Sequence, residues 1–264
     1  NTRKSSPHDA LFKGYFGDEN VAKEYVQRFY PENLRREMDI SSFKKCDTSY
    51  VNARFAKSFS DVVYEARLLS GREIRCVFLF EHKSEQPKYI FLQLLDYMLQ
   101  IWEEDVKNKR NLSLIVPTVV YHGDKAWNKK PFEDYFEDLP LALKVFVPIF
   151  DYLLTDLVET PVQAIRDLQE NVLRNLFLVL KFASEQDAIR QHWSEILRFN
   201  PELPQPERVY LFFNLIYEYL IRITSFSEEE IQELNETLTD QDKKMMSTYD
   251  TIVKNATQRG IEQG

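Results

Sequence analysis

The chain has 264 residues, 44% of them hydrophobic and 29% charged, which is typical of a globular protein long enough to bury one large core or two smaller ones. No apolar run approaches the roughly 20 residues needed to cross a bilayer, and the first residues lack the pattern of a signal peptide, so no membrane association is predicted. Two cysteines are too few for a disulfide framework, and four scattered histidines argue against a zinc site. The sequence therefore predicts a cytoplasmic protein in a reducing compartment.

The net charge of −8 argues at first sight against a nucleic-acid partner, but the charge is unevenly distributed. Residues 1–75 hold 14 Lys and Arg against 11 acidic residues, and this surplus could dock phosphates. A solvated surface of mixed charge explains the same residues equally well. The candidates for phosphate contacts are Arg28, Arg35, Arg36, Lys44, Lys45, Arg54 and Lys57.

The first clear helix follows Asp18, whose side chain can cap the helix amino terminus. Apolar residues recur after it with a period of about 3.6 residues as far as Phe29, and Pro31 ends the pattern. The residues that follow are irregular, apart from a short strand predicted at residues 38–43.

Residues 60–85 have the pattern of a β-hairpin and form the most distinctive stretch of the chain. Two apolar runs of strand length, residues 61–68 and 74–80, flank a turn at Ser70-Gly71-Arg72. Alternation along the second strand places every other residue on one face of the sheet. The residues on that face are Val77, Leu79, Glu81 and Lys83.

The register of this hairpin decides whether a second acidic residue joins that face. A three-residue loop would pair Leu69 with Glu73, and the same register places Asp61 directly opposite Glu81. Two carboxylates that face each other suit a hard cation such as Mg²⁺. Lys83 beside the cation could orient an attacking water or stabilise charge on a phosphate.

An acidic residue two positions before a lysine is a weak signal when it stands alone. The same spacing recurs at Asp105-Val106-Lys107 and Asp242-Lys243-Lys244, both within helical patterns. At the end of a strand such residues most often form a solvated rim. The signal gains weight here from the upstream Asp61 and from the buried strand that precedes Glu81.

An amphipathic helix is predicted at residues 88–105, followed by an apolar strand at residues 112–121. Gln93 and Tyr97 are four residues apart and share one helical face, although a tyrosine at this spacing can also be a simple core residue. Pro117 within the strand indicates an edge position or a bulge. Because a strand–helix–strand crossover is right-handed, this strand should run parallel to the second hairpin strand.

The character of the chain changes at Pro161, which predicts a first domain at residues 1–160 and a helical domain at residues 161–264. Residues 124–160 are expected to wrap the core. The run 209–223 is apolar almost all round and should be buried between helices or at a subunit contact. The predicted helices span residues 162–182, 185–199, 206–223, 227–239 and 241–259.

Several stretches share their order and spacing with known motifs. They are His8-Asp9-Ala10-Leu11-Phe12-Lys13, Ser60-Asp61 with Val62-Val63-Tyr64, Glu81-His82-Lys83-Ser84-Glu85, Gln93-Leu94-Leu95-Asp96-Tyr97-Met98, and Pro117-Thr118-Val119-Val120-Tyr121-His122-Gly123 followed by Trp127. These stretches resemble PD-(D/E)xK nucleases and, more narrowly, the bacterial recombination-promoting nuclease/transposase family. The resemblance covers roughly residues 8–200. Many members of that family have Gln where this chain has Lys83. At this position the chain therefore differs from those members and agrees with the general PD-(D/E)xK pattern.

The resemblance implies an α/β fold with a PD-(D/E)xK, restriction-endonuclease-like core of order α-β-β-β-α-β in a mixed sheet, followed by an all-helical C-terminal region. It implies that Asp61, Glu81 and the main-chain carbonyl of His82 bind Mg²⁺ or another divalent cation. It further implies that Lys83 acts on the water or the phosphate, and that Gln93 and Tyr97 brace the site or contact the nucleic acid. An acidic residue of the first helix, Glu24, could also help to bind metal, but a solvent-facing role is several times better supported.

Two functions from different classes remain open. The first is a metal-dependent DNA endonuclease linked to recombination or mobile DNA, and the intact set of Asp61, Glu81 and Lys83 favours it. The second is a non-catalytic nuclease-fold module that binds or regulates a partner, and the acidic net charge favours it. DNA is the expected partner in the first case, self-association through the helical C-terminal region is considered in both, and no organic cofactor is expected.

Overall fold

The computed structural model describes residues 7–46, 62–70, 75–169, 171–199 and 206–244. The described residues pack into two units. The sheet unit is Phe16–Pro161, and the helical unit comprises the described parts of Asn1–Tyr15 and Val162–Gly264. The packing thus groups the first helix with the carboxyl-terminal helices, while the domain limits 1–160 and 161–264 stay a prediction.

Helix α1 (Pro7–Phe16) opens the described chain. The sheet unit then contains α2 (Glu19–Phe29), α3 (Glu32–Arg36), β1 (Met38–Lys45), β2 (Val62–Leu68), β3 (Arg75–Lys83), α4 (Ile90–Lys107), β4 (Leu114–Tyr121), two 3-10 turns (Phe132–Tyr135 and Leu141–Phe146) and β5 (Leu153–Asp156). The strands form one five-stranded sheet in the order β1-β2-β3-β4-β5. The pairs β1–β2 and β2–β3 are antiparallel, whereas β3–β4 and β4–β5 are parallel.

The predicted mixed α/β class is therefore confirmed. The predicted short strand near residue 38 is present as β1, and the crossover through α4 makes β4 parallel to β3 as expected. That this sheet is a PD-(D/E)xK core stays a prediction.

Helix α2 covers one face of the sheet. The side chain of Asp18 accepts from the main-chain N–H groups of Asn20 and Val21, which confirms the predicted amino-terminal cap. Beyond the helix, the Tyr30 hydroxyl lies 2.5 Å from the Thr118 hydroxyl of β4. This buried contact places the carboxyl end of α2 against β4.

Helix α4 covers the other face. Its buried side chains Leu94 and Tyr97 form one hydrophobic cluster with Val63 of β2 and with Val119 and Tyr121 of β4. The sheet unit thus has helices on both faces of its sheet, and successive side chains along each strand point to opposite faces.

Strand β5 is a correction to the sequence analysis, which expected residues 124–160 only to wrap the core. The four residues of β5 add a parallel strand beside β4. Pro117 consequently lies in an inner strand, contrary to the expected edge position. The described β4–β5 pairing begins only at Thr118, so Pro117 precedes it and the missing N–H is tolerated there.

The helical unit contains α5 (Val162–Arg166), α6 (Asn171–Phe182), α7 (Gln186–Ile196), α8 (Pro206–Ile223) and α9 (Glu228–Glu236), together with α1. The prediction of one helix over residues 162–182 is wrong, since α5 and α6 are separate. The range predicted for α8 is confirmed, but its exposed residues Leu211 and Ile221 show that it is not buried all round.

Two details of the helical unit bear on the sequence analysis. Ser227 and Glu230 form a reciprocal capping box at the start of α9, as expected for Ser followed by acids. Residues 240–244 are helical, and the rest of the predicted helix 241–259 lies outside the described residues. No described helix is long and apolar enough to cross a membrane.

Candidate active site

The candidate site lies where three parallel strands end. The register aligns Lys83 of β3 with Tyr121 of β4, and Tyr121 with Asp156 of β5. Ligands of open α/β sheets bind at the carboxyl ends of such strands. The segment that carries the predicted acid and lysine therefore ends at the edge where a ligand is expected.

The described part of the hairpin has the predicted register. Val62 pairs with Phe80 at one end of the ladder and Arg67 with Arg75 at the other, which is the register that a Leu69–Glu73 pair would give. Asp61 lies outside the described residues, as do the side chains of Glu81 and His82. The prediction that the two carboxylates face each other therefore stays a prediction.

The ends of β3 and β4 are joined through the main chain. The N–H of His122 donates to the carbonyl oxygen of Lys83 at 2.9 Å, and His122 itself is buried. A Cβ placed on Gly123 would lie 2.5 Å from the carbonyl oxygen of Ser84 and would clash with the Tyr121 hydroxyl. Only glycine allows the two chains to approach this closely.

Tyr121 belongs to the same tight arrangement. Its hydroxyl donates to the carbonyl oxygen of Lys125 at 2.7 Å, and burial raises the pKa of this phenol above its usual value. The phenol therefore stays protonated at neutral pH and serves as a donor that holds the loop after β4.

Gln93 and Tyr97 project from one face of α4, as the spacing predicts. The Gln93 side-chain amide donates to the Tyr97 hydroxyl, and Tyr97 is completely buried. Val63 and Val119 pack in the same cluster as Tyr97. A bracing position for this pair is compatible with these contacts, while its role in a reaction stays a prediction.

Replacing Tyr97 by phenylalanine should remove the hydroxyl that accepts from Gln93 and lower the free energy of unfolding by about 0.5–1.5 kcal/mol. If this pair braces the active site, DNA cleavage should also fall several-fold, because the Gln93 side chain would lose the hydroxyl that fixes its orientation. Thermal unfolding and plasmid-cleavage rates measure the two effects.

The matched control for this change is Tyr64→Phe. Tyr64 is also completely buried, and its hydroxyl donates to the carbonyl oxygen of Phe16 at 2.7 Å on the other side of the sheet. It should lose similar stability without losing activity. Equal activity losses in the two variants would show that Tyr97 has only a structural role.

Asp156 is an acidic residue at the same edge that sequence reasoning missed, because β5 was not predicted. One of its carboxylate oxygens accepts from the N–H of Trp127 at 2.7 Å and the other accepts from the N–H of Val158 at 2.9 Å. Both oxygens thus hold loops in place. The signal that could have revealed it is an acid directly after the short apolar run Leu153-Leu154-Thr155.

The loops after β3 and β4 are also joined by Gln86 and Asn128. The Gln86 amide donates to the carbonyl oxygen of Asn128 at 2.8 Å and accepts from its N–H at 3.2 Å. The Gln86 side chain thus pairs with the main chain of Asn128 as a neighbouring strand would, and it joins the two loops beside the site. No pattern in the sequence distinguishes Gln86 from an ordinary loop residue.

The basic residues predicted to dock phosphates are partly paired with acids. Arg28 pairs with Glu24 at 2.9 Å, and Lys44 pairs with Glu65 at 3.2 Å. Arg36 pairs with Glu32 in the same way, whereas Arg54 and Lys57 lie outside the described residues. Arg35 donates to the carbonyl oxygen of Tyr30, and Lys45 to that of Gly17. Exposed ion pairs contribute only about 0–1 kcal/mol, so a phosphate could displace the acids.

Comparison with known proteins places this chain in a family. The family model described as "Putative transposase, YhgA-like" matches residues 6–205. The chain belongs to this YhgA-like family. The resemblance to the recombination-promoting nucleases noted from the motifs is confirmed at this level.

Three proteins from Escherichia coli are similar to this chain. "Recombination-promoting nuclease RpnD" of strain O157:H7 is 26% identical over 71% of this chain and 72% of its own length. From strain K12, "Inactive recombination-promoting nuclease-like protein RpnE" is 28% identical over 70% of this chain and 61% of its own length. "Recombination-promoting nuclease RpnA", also from strain K12, is 26% identical over 70% of this chain and 63% of its own length. The chain thus spans less than two thirds of RpnE and RpnA. No solved structure matches the chain.

Proposed function

We propose that the sheet unit is a PD-(D/E)xK nuclease core and that the chain is a metal-dependent DNA endonuclease that acts in recombination or on mobile DNA. The observation that carries this proposal is the β2–β3 register. Its last described pair joins Val62 to Phe80, and continuing it by one residue would set Asp61 opposite Glu81. Both carboxylates would then stand beside Lys83 at the carboxyl edge of the sheet.

The donor atoms at this edge fit Mg²⁺ or another hard divalent cation, which prefers carboxylate and carbonyl oxygens and keeps several waters. Carbonyl groups alternate along a strand, and that of Lys83 accepts from His122 on the β4 side. The carbonyl of His82 should therefore point toward the β2 side, beyond the last described β2–β3 pair. There it could join Asp61 and Glu81 as the third protein ligand.

When bound, such a cation supplies Lewis-acid stabilisation of the phosphate and lowers the pKa of a bound water. The chain's own residues position the reactants. Lys83, half-buried at the end of β3, is placed to orient the attacking water or to neutralise charge that develops on the phosphate. Gln93 and Tyr97 are hydrogen-bonded to each other within α4, and the ring of Tyr97 packs against the sheet with Val63 and Val119.

The names of two relatives, RpnD and RpnA, support nuclease activity, and that of RpnE supports the second candidate, a non-catalytic module. The net charge of −8 and the acid-paired arginines and lysines also favour the second candidate. We favour the nuclease because Asp61, Glu81 and Lys83 are all present at positions that the register would bring together.

Cleavage of a supercoiled plasmid decides between the two candidates. Purified protein is incubated with plasmid in Mg²⁺ or in excess chelator, with Asp61→Ala beside the wild type. The nuclease predicts nicked and linear products only for the wild type with Mg²⁺. Absence of products with Mg²⁺, Mn²⁺ and Co²⁺ alike would favour the non-catalytic module.

Replacing Lys83 by glutamine should give an intermediate loss of cleavage. Glutamine keeps nearly the length and can still hydrogen-bond a water or a phosphate oxygen, but it lacks the positive charge. If the charge stabilises the transition state, the rate should fall by roughly 10²–10³. If Lys83 mainly orients the water, most of the activity should remain.

Metal titration by calorimetry separates these roles from a structural one. A lysine beside a divalent cation is repelled by it, so Lys83→Gln should bind Mg²⁺ equally well or slightly more tightly. A large drop in affinity would mean that Lys83 organises the carboxylates and that its catalytic role is misassigned.

Two further assignments accompany this proposal and stay predictions. One is self-association through the helical unit, for which the exposed Leu211 and Ile221 of α8 are the available apolar residues in the described part. The other is the cytoplasmic location, which rests on cysteine usage alone.

A further inference from the structure

The most exposed large apolar side chains of the described residues gather in one short stretch between β4 and β5. Ile149 is 96% exposed, Leu141 83% and Phe146 80%. Val145 beside Phe146 is exposed as well, and both belong to a 3-10 turn that begins after Pro140. We call Leu141, Val145 and Phe146 the apolar knob.

A cleft of about 340 Å³ adjoins the knob. Its aromatic lining is formed by Phe91, Phe132 and Phe150. The Phe132 ring stacks on that of Phe91 with 5.0 Å between centroids, and the Phe150 ring meets it edge to face at 5.2 Å. Val147 and Ile149, which follow the knob directly in the chain, form part of its wall. The cleft is thus a preformed apolar recess of the size that accepts a large side chain.

The charges around the cleft argue against nucleic acid as its occupant. Lys129 pairs with Asp151 at 2.8 Å, and Lys144 pairs with Glu133 at 3.0 Å. The remaining lysine of the lining, Lys130, lies 5.5 Å from the centroid of the Tyr135 ring. Three lysines against two acids leave a net charge of only +1 in the lining, whereas binding of phosphate groups or of an anionic membrane is driven by several uncompensated cations.

The same features favour a surface that pairs with itself. A two-fold contact brings one patch against an identical patch, so that patch must offer both a projection and a recess. Here the knob projects and the cleft lies a few residues away. The rim carries lysines and acids in pairs, so two copies approach without the repulsion that a rim of one charge would cause.

We propose that the knob and cleft form an isologous interface with a second copy of this chain, in which the knob of each copy enters the cleft of the other. Apolar side chains buried in a preformed pocket are the usual centre of such contacts. The interface lies wholly within the sheet unit and is independent of self-association through the helical unit. It also does not depend on the proposed nuclease activity.

Sedimentation equilibrium of the full chain tests the interface. The wild type should show a concentration-dependent dimer, whereas the double variant Leu141→Asp/Phe146→Asp should dimerise at least about tenfold more weakly. Leu112→Asp is the matched control, because Leu112 is also exposed (60%) but lies in the loop before β4. It should dimerise as the wild type does.

A cysteine at position 143, beside the knob, provides a second measurement that traps the dimer covalently, because Leu143 is exposed and Cys46 is buried. In Leu143→Cys, a short bifunctional maleimide should link two chains, and the further changes Leu141→Asp/Phe146→Asp should abolish the link. Two results overturn the proposal. One is a wild type that is monomeric at every protein concentration over a 100-fold range that ends at its solubility limit, and the other is a dimer that Leu141→Asp/Phe146→Asp does not weaken. Unchanged thermal unfolding of the variants shows that they are folded.

Discussion

Glu81→Ala is expected to abolish Mg²⁺-dependent cleavage of DNA without unfolding the protein. In the proposed site Glu81 is one of only two carboxylates that hold the cation, so its loss removes metal binding as well as charge stabilisation. Loss of one electrostatic donor alone costs roughly 10²–10³ in rate, and we expect a larger loss here. The rate at which supercoiled plasmid is nicked, compared at equal protein concentration, measures the effect.

The fold should survive this change because strand ends contribute little to core packing. Removing one of two facing carboxylates could even raise the unfolding temperature, since it relieves repulsion between like charges. Glu85→Ala is the matched control, because Glu85 is an exposed acidic residue just beyond the end of β3. Glu85→Ala should cleave at the wild-type rate, and a folded Glu81→Ala protein that still cleaves would exclude the proposed mechanism.

Gly123→Ala is expected to have the second-largest effect, through displacement of the end of β3. The new methyl group would lie 2.5 Å from the Ser84 carbonyl oxygen, which belongs to the main chain and cannot rotate away. Overpacking of this kind costs typically about 1–3 kcal/mol. Because Ser84 directly follows Lys83, the shift should also misplace the proposed catalytic segment. The cleavage rate should then fall by at least about tenfold, since small misplacements cost up to about 10²-fold.

Gly14→Ala in α1 is the matched control for Gly123→Ala. Its new methyl group would lie 2.6 Å from Cδ1 of Leu215, the end of a flexible side chain that can move. Alanine also gains up to about 1 kcal/mol over glycine within a helix. Gly14→Ala should therefore keep its stability and its activity. If Gly123→Ala behaves in the same way, the close approach of the two strand ends has no functional importance.

The features predictable from sequence are those that local patterns determine. The cap at Asp18 and the full range of α8 follow from side chains within a few residues of each helix end. The hairpin register follows from turn length and alternation, and the described pairs Val62–Phe80 and Arg67–Arg75 match it.

The features that escaped prediction depend on distant partners. Strand β5 has only four residues and is a strand because β4 offers it an edge. The break between α5 and α6 carries neither proline nor glycine, so no local signal marks it. Within the candidate site, the sequence alone singles out Glu81 and Lys83, and their chemistry stays a prediction. The closeness of Gly123 to Ser84 requires the three-dimensional packing of two strands.

The grouping of α1 with the helical unit has a consequence for the order in which the chain can fold during synthesis. The sheet unit is encoded by one continuous stretch, Phe16–Pro161, and can form as soon as that stretch has left the ribosome. Helix α1 emerges first, but its partners come last: the Tyr15 hydroxyl donates to the carbonyl oxygen of Phe212 at 2.9 Å, and that of Tyr219 lies 2.8 Å from Nδ1 of His8. Until α8 has been translated, the buried side chains of α1 remain exposed and open to chaperones.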